Sequence, residues 1–259
     1  MKRRQLMRYA GASLLAAIGA AWASPQQTSQ AQSSDSSLNV QWLGHSCFLF
    51  TSNGFRVLVN PFRPLGCTAG YPAPKVAADL VLISSFLLDE GAVEQLPGNP
   101  RILTQAGDYQ INNTKFQGIT LPHDREGGRR FGTNIAWRWT QGGIDILHLG
   151  GAAGAIGMEQ RILMGSPDLV LIPVGGGPKA YNPQEAIQAI GVLKPRIVIP
   201  TQYLTAAADK EACNLVPVDD FLALTEGAEI RKLDSNSISF TPSDLSQQET
   251  SIRVFSYNS

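Results

Sequence analysis

The segment with the side chains best suited to chemistry follows an apolar stretch near residue 80. Residues 79–83 predict a strand, and the next seven residues include Ser85, Asp89 and Glu90. A serine hydroxyl becomes a nucleophile when a base activates it, and neighbouring carboxylates can hold a hard cation together with water. Two acids are also typical of the first turn of a helix, where they oppose the helix dipole. A helix over residues 89–95 would therefore explain both acids without a metal.

A basic loop and a glycine-rich turn supply candidate groups for binding an anion. Three arginines of the loop 123–130 can bind a carboxylate or phosphate through paired N–H groups, and pairing with acids inside the loop is the alternative. The turn 175–179 lacks the spacing of a nucleotide-binding loop. The candidate ligand-binding residues are Arg125, Arg129, Arg130, Lys179 and Tyr203.

The chain has three cysteines with different surroundings. Cys47 lies in an apolar strand and is expected to be a small core residue. Cys67 and Cys213 lie in loops, where an exported protein would join them in a disulfide; two unpaired thiols are the alternative.

The first residues have the features of an export signal. Paired bases at Arg3 and Arg4 precede a mildly apolar stretch and an Ala-x-Ala cleavage site that ends at Ala23. Residues 1–23 are therefore predicted to be a twin-arginine signal peptide, with no stable membrane span after its removal. Residues 24–37 predict a disordered linker rich in Ser and Gln, and residues 38–259 a single domain. The expected compartment is the periplasm, or the thylakoid lumen if the source is photosynthetic.

The zero net charge of the whole chain hides the charge of its exported part. Four of the 21 Lys and Arg residues lie in the predicted signal, which leaves 17 bases against 21 acids, a net charge of −4. Because binding to nucleic acid requires a basic surface, this balance argues against a nucleic-acid partner.

Hydrophobic periodicity predicts short strands in the first half and strands alternating with helices in the second. Continuous apolar strands between helices indicate strands that are buried on both faces. The predicted strands are 38–43, 47–50, 56–59, 79–84, 101–104, 116–121, 134–140, 144–148, 169–173, 196–199 and two at the C-terminal end. The predicted helices are 89–95, 156–164, 182–193 and 218–224.

Seven segments, taken in order, resemble the metallo-β-lactamase superfamily, in particular the branch that includes the ascorbate-6-phosphate lactonases. The resemblance implies a four-layer αββα sandwich of the α/β class, in which two mixed sheets pack together with helices outside. The segments are Gly-His-Ser within 42–48, Asn-Pro-Phe within 57–62, the motif region 84–90, Pro-His with its glycine-rich sequel in 121–134, His-Leu-Gly-Gly at 148–151, Pro-Val-Gly within 171–176, and Ile-Pro-Thr-Gln-Tyr at 199–203.

The resemblance also implies a dinuclear metal centre, and most of its ligands are replaced here. The family's histidine positions hold Ser85, Leu87, Glu90 and Gln202, and its bridging aspartate is Gly151. Zinc prefers three or four His, Cys or carboxylate ligands, so a conventional dinuclear zinc site is not expected. No cofactor is the favoured expectation. A single divalent cation is the alternative, with Asp89, Glu90, His123 and Gln202 as its candidate ligands.

A metal-free catalytic device is a further candidate. The resemblance places Ser85 and His123 around one former metal position, so a Ser85–His123 pair oriented by Asp89 would supply nucleophilic catalysis. A hydrogen bond between Ser85 and His123 that only fills the vacated pocket is the alternative. His45 and His148 are expected to be core histidines with satisfied hydrogen bonds.

These observations leave three functions open. The favoured one is a pseudoenzyme or binding protein that takes a small anionic molecule or a protein of the same compartment. The second is an active hydrolase of lactones or phosphoesters that uses a non-standard metal or the Ser85–His123 pair. The third is an assembly or interaction factor whose pocket is unused.

Overall fold

The computed structural model describes residues 37–246 and 249–257. The predicted signal peptide and all but the last residue of the predicted linker lie outside the described residues. Within them, two β-sheets share one hydrophobic core. The strands are β1 (Leu38–Gly44), β2 (Cys47–Ser52), β3 (Phe55–Val59), β4 (Leu80–Leu82), β5 (Arg101–Leu103), β6 (Gly107–Ile111), β7 (Thr114–Pro122), β8 (Thr133–Gln141), β9 (Ile144–His148), β10 (Leu169–Pro173), β11 (Ile197–Thr201), β12 (Glu229–Lys232), β13 (Ser237–Phe240) and β14 (Ser251–Val254). The helices are α1 (Met158–Met164), α2 (Pro183–Leu193) and α3 (Val218–Leu222).

The first sheet has six strands in the order β13-β1-β2-β3-β4-β5. Strands β1 to β3 form an antiparallel meander, and β4 and β5 continue it in parallel. Asn53 and Gly54 form the hairpin turn between β2 and β3, and both residues have the positive φ angles, 50° and 77°, that this turn requires. The edge strand β13 comes from the far end of the chain and pairs antiparallel with β1.

The second sheet has eight strands in the order β12-β14-β11-β10-β9-β8-β7-β6. Strands β6 to β9 form an antiparallel meander, whereas β9, β10, β11, β14 and β12 run parallel. All three α-helices lie on connections between strands of this sheet. Asn182 caps α2 by accepting a hydrogen bond from the Glu185 N–H, and Pro183 occupies the first turn of this helix, which was predicted at residues 182–193.

Aromatic side chains from both sheets form the core between them. Phe48 and Phe50 of β2 are buried, as are Trp137 and Trp139 of β8. Phe50 meets Trp139 edge-on, with ring centroids 5.0 Å apart. Such contacts between opposing sheets account for the two-sheet sandwich that the sequence predicts.

Some predicted elements are corrected by the structure. Residues 86–90 form a single turn, in which the N–H groups of Glu90 and Gly91 both donate to Leu87 O, at 3.0 and 2.8 Å, and no helix continues from it through residue 95. The two acids at positions 89 and 90 are therefore not helix-capping residues. The sequence analysis missed β6 and counted two terminal strands where the structure has three. In the described part of the chain, none of the helices has the length and apolar run that a membrane span requires.

Cys67 and Cys213 form a disulfide, with Cα atoms 4.7 Å apart and a sequence separation of 146 residues. The bridge ties the loop after β3 to the loop before α3. Asp209 N–H also donates to Gly66 O at 3.1 Å, and Gly70 N–H donates to Ala207 O at 2.6 Å. Cys47 is buried and unpaired, as predicted, and burial raises the pKa of its thiol.

Removing this disulfide should weaken the fold. A Cys67→Ala/Cys213→Ala variant should lose about 2–5 kcal/mol of unfolding free energy, because its unfolded chain is no longer restricted by a long closed loop. Denaturant unfolding with and without reductant measures this loss. Reductant should destabilise the wild type and leave the double variant unchanged; a response of both to the same extent would contradict the assignment.

Candidate functional site

Loops from both sheets meet at one end of the sandwich. They follow β4, β7, β9 and β11 and include the turn between β1 and β2. These loops bring together most of the polar residues that the sequence analysis singled out. The buried polar side chains contributed by these loops are His45, Ser46, Ser84, Ser85, Glu90, His123, Asp124 and Gln202.

Glu90 lies at the centre of this cluster and is completely buried. Its carboxylate accepts a hydrogen bond from Ser85 Oγ at 2.8 Å and another from Gln202 Nε2. His123, also completely buried, places Nε2 3.6 Å from Glu90 Oε2. A buried carboxylate is costly unless hydrogen bonds satisfy it, so these contacts are what allows Glu90 to stay inside.

Gly151 provides the space that Glu90 and His123 occupy. A Cβ atom at residue 151 would overlap both His123 Nε2 and Glu90 Oε1. The Glu90 carboxylate therefore fills the volume into which a side chain at position 151 would project. The absence of a side chain at position 151 and the carboxylate at position 90 therefore depend on each other, because both cannot fill the same space.

Several buried polar atoms at this end of the sandwich have no hydrogen-bond partner among the described residues. They are Ser84 Oγ, Thr201 Oγ1, Gln202 Oε1 and both ring nitrogens of His123. The hydrogen bond between Ser85 and His123 that the sequence analysis considered is therefore not formed, because Ser85 donates to Glu90. Asp89 does not orient His123 either, because it pairs with Lys179. The three predicted catalytic residues lie close together in the fold but are not linked as a catalytic triad.

Asp89 belongs to a separate group of polar residues beside Glu90. Its carboxylate forms an ion pair with the Lys179 ammonium, and Oδ2 lies 3.8 Å from His45 Nε2. Burial would raise the pKa of Asp89, but Lys179 and His45 hold it below its ordinary value. Burial lowers the pKa of His45, although Asp89 and Glu90 favour its protonated form. Asp89 is therefore ionised and the His45 ring is largely neutral near pH 7.

This second group forms the floor of an open cleft of about 300 Å³. His45, Asp89, Lys179 and Gln202 line it together with apolar residues and the Cys67 end of the disulfide. The apolar part is formed by Leu65, Leu88, Pro178, Ala212 and Leu215. The cleft is therefore accessible, whereas the Glu90–His123 centre beneath it is closed.

The two histidines outside the centre differ from each other. His148 is a satisfied core residue, as predicted: Nε2 lies 3.0 Å from Ser46 O, and Nδ1 accepts from Gly150 N–H at 3.0 Å. Burial lowers its pKa to about 4. The same prediction for His45 is wrong, because its ring has no hydrogen-bond partner among the described residues and lines the cleft.

The predicted arginine cluster is not assembled at the cleft. Arg125 is occupied by Glu185, to which it donates two hydrogen bonds of 2.6 Å, and by two backbone carbonyls. Arg129 donates to Glu126 O at 3.1 Å, and Arg130 lies over the ring of Phe131. All three arginines are exposed and lie outside the cleft lining, and none of them pairs with an acid inside the loop, because Arg125 reaches Glu185 of α2 instead.

Tyr203 is also not a cleft residue. Its side chain is buried and packs against Trp42, with ring centroids 5.8 Å apart. Burial raises the pKa of its hydroxyl. Of the five predicted ligand-binding residues, Lys179 is the one that lines the cleft.

Comparisons with known proteins agree with this architecture. A family model described as a beta-lactamase superfamily domain matches residues 39–202. A UPF0173 metal-dependent hydrolase from Thermococcus onnurineus is 29% identical over 202 residues, covering 67% of this chain and 89% of that protein. Another from Thermus thermophilus is 28% identical over 191 residues, covering 65% of this chain and 84% of that protein.

A solved structure also resembles the fold of this chain. A Thermotoga maritima protein of the metallo-β-lactamase superfamily, described as a Zn-dependent hydrolase, superposes with a TM-score of 0.67 at 28% identity and covers 84% of this chain and 98% of that chain. Two mixed sheets with a polar centre between their loops are thus the architecture of a metal-dependent hydrolase domain. The chain belongs to the metallo-β-lactamase superfamily.

The residues present do not fit the dinuclear metal centre that this family implies. Within residues 37–246 and 249–257, no group of three His, Cys, Asp or Glu side chains is arranged to hold a metal ion. The carboxylate of Asp89 is taken by the Lys179 ammonium, and that of Glu90 by Ser85 and Gln202. The side chains of Glu90 and His123 also fill the space in front of Gly151.

A side chain at position 151 should disrupt the buried centre. Gly151→Ala should cost about 1–3 kcal/mol of unfolding free energy, because the added methyl group overlaps Glu90 and His123. Gly191→Ala in α2 is the matched control, since its Cβ would meet no atom within 4 Å, and it should be neutral or stabilising. Denaturant unfolding compares the two. A cost for Gly151→Ala that is the same in the wild-type background and in a Glu90→Ala/His123→Ala background would contradict the shared-space explanation.

Asp124 should make the loop 123–130 sensitive to acid. Its carboxylate accepts hydrogen bonds from the N–H groups of Glu126, Gly128, Arg130 and Phe131, which lower its pKa from 3.8 to about 2. Its contribution to stability is complete above pH 4 and is lost as the pH falls through 2. Unfolding free energies between pH 4 and pH 2 should fall more steeply for the wild type than for Asp124→Asn. If the unfolding free energies of both proteins fall equally between pH 4 and pH 2, the negative charge of Asp124 does not contribute to the stability of this loop.

Proposed function

We propose that this protein is an exported, non-hydrolytic member of the metallo-β-lactamase superfamily that binds a small molecule in its cleft. The burial of Glu90 carries the proposal. Glu90 and His123 have no exposed surface and occupy the centre where the family's metals would lie. A substrate in the cleft would not reach them without a change in structure.

The contacts around both carboxylates support a binding role. A metal-dependent hydrolase uses its carboxylates to hold cations that polarise the substrate and lower the pKa of a bound water. Here the ammonium of Lys179 neutralises Asp89, and hydrogen-bond donors from Ser85 and Gln202 satisfy Glu90. Because protein groups already satisfy these oxygens, the proposal requires no cofactor.

The disulfide supports export. Disulfides persist in oxidising compartments and are rare where thiols are kept reduced. Cys67 and Cys213 lie within bonding distance in the fold, and the sequence begins with a pattern typical of a twin-arginine signal. The proposed location is the periplasm, or the thylakoid lumen in a photosynthetic source.

One observation favours a second candidate, a hydrolase with a single divalent cation. Both ring nitrogens of His123 and Oε1 of Gln202 lack protein partners, and unsatisfied buried atoms can mark an ion or a water. The relatives are described as metal-dependent hydrolases. The centre offers Glu90 and His123 as strong ligands, with weaker amide and hydroxyl oxygens from Gln202 and Ser85.

Metal content and turnover separate the two candidates. The purified mature protein should contain well below one transition-metal ion per chain and should not hydrolyse a lactone or a phosphodiester, with a zinc-dependent member of the superfamily assayed in parallel. Elemental analysis before any chelator and substrate assays measure this. Near-stoichiometric metal with turnover that a chelator abolishes would establish the second candidate. Metal-free turnover lost in Ser85→Ala would instead support the Ser85–His123 device.

A further inference from the structure

The cleft carries one positive and one negative side chain. Among the described residues that line it, Lys179 and Asp89 are the charged ones, and they form an ion pair. Both remain partly accessible, with 27% and 21% of their side chains exposed. A ligand with a single negative charge would pair with Lys179 and would be repelled by Asp89. A ligand with a single positive charge would pair with Asp89 and would be repelled by Lys179. A ligand that carries both charges on neighbouring atoms leaves neither side chain unpaired.

Next to this pair lies unused hydrogen-bonding capacity. His45 is 5% exposed, lines the cleft and has no hydrogen-bond partner for its ring among the described residues. Its backbone adopts a φ angle of 53°, in the left-handed region that non-glycine residues rarely occupy. Asn214 at the rim also has no partner for its side-chain amide within the described chain. Asn214 is exposed, so its amide and the His45 ring are both open to hydrogen bonds from a ligand in the cleft. Left-handed backbone conformations of non-glycine residues also concentrate at binding sites.

The remaining surface of the cleft requires an apolar ligand group. Leu65 and Leu88 line the cleft and are 55% and 45% exposed, so a ligand would cover apolar surface that now faces water. The volume of about 300 Å³ lies at the lower end of the range for small-molecule pockets. The ligand is therefore small and combines a zwitterionic head group, with one positive and one negative charge, with a compact apolar group.

We propose that the cleft binds a zwitterionic α-amino acid with an apolar side chain, with its ammonium against Asp89 and its carboxylate against Lys179. The inference rests on the proposed binding function and specifies its ligand class. The Asp89–Lys179 pair opens to accept the two charges, so that one ion pair is replaced by two charge-assisted contacts. The His45 ring and the Asn214 amide hydrogen-bond the head, and the leucine side chains cover the apolar group.

Four compounds of nearly equal size test the charge requirement. Leucine is zwitterionic, leucinamide is cationic, N-acetylleucine is anionic and N-acetylleucinamide is neutral at about pH 6. Calorimetric titration of the wild type should give leucine an affinity about tenfold or more above each of the others. Equal or better binding of the neutral compound, or no binding of leucine at millimolar concentration, would overturn the inference.

Single-charge variants should change the preference in opposite directions. Asp89→Asn leaves Lys179 unpaired and should favour N-acetylleucine, whereas Lys179→Met leaves Asp89 unpaired and should favour leucinamide. The double variant should show no charge preference. If the single variants keep the wild-type order of affinities, Asp89 and Lys179 do not contact the ligand and the inference is wrong.

A remote ion pair supplies the matched controls. Asp108 and Lys115 form an exposed pair at 2.9 Å that lies outside the cleft. Asp108→Asn and Lys115→Met should leave all four affinities unchanged; a change equal to that of the cleft variants would also overturn the inference. Turnover in the hydrolysis assays together with selective leucine binding would overturn the proposed function alone, so the two failures can be distinguished.

Discussion

The completely buried carboxylate of Glu90 is the constraint around which the site is built. Glu90 has no exposed surface, and removing a carboxylate from water costs free energy. The groups that contact Glu90 offset this cost or provide the space that it needs. Ser85 and Gln202 donate to it, His123 lies beside it, and Gly151 leaves room for it. Gln202 reaches it from a backbone φ angle of 49°, in the left-handed region. The substitutions at the family's metal positions are therefore coordinated in space and form one new arrangement.

The closed centre and the open cleft divide the polar residues into two groups with different roles. Asp89 and Glu90 are adjacent in sequence, but the turn at residues 86–90 directs one carboxylate to Lys179 and the other to Ser85 and Gln202. In the family's chemistry these positions serve a common metal centre. In this protein the turn separates them, so that Asp89 lines the open cleft and Glu90 lies in the closed centre.

The fold was predictable from the sequence to a larger extent than the site. The apolar run at residues 169–173 and the helical pattern at residues 182–193 are local signals, and the structure confirms both elements. The acids at 89 and 90 were ambiguous because a helix start and a buried cluster use the same residue types. The role of His45 depends on which neighbours approach it from distant loops, and a single sequence does not contain that information. The sequence did place His45 in a Gly-His-Ser turn outside any apolar run, and this position indicates a loop residue and not a core residue.

The pairing of β1 with β13 has a consequence for how the chain reaches its final form. Leu38 and Val40 of the first described strand align with Phe240 and Ile238, nearly two hundred residues later. Until residues 237–240 have left the ribosome, this side of β1 is an open sheet edge with unpaired backbone groups. The six-stranded sheet can therefore be completed only near the end of synthesis. During most of synthesis this edge is therefore open to association with other strand edges, and the pairing with β13 removes that exposure.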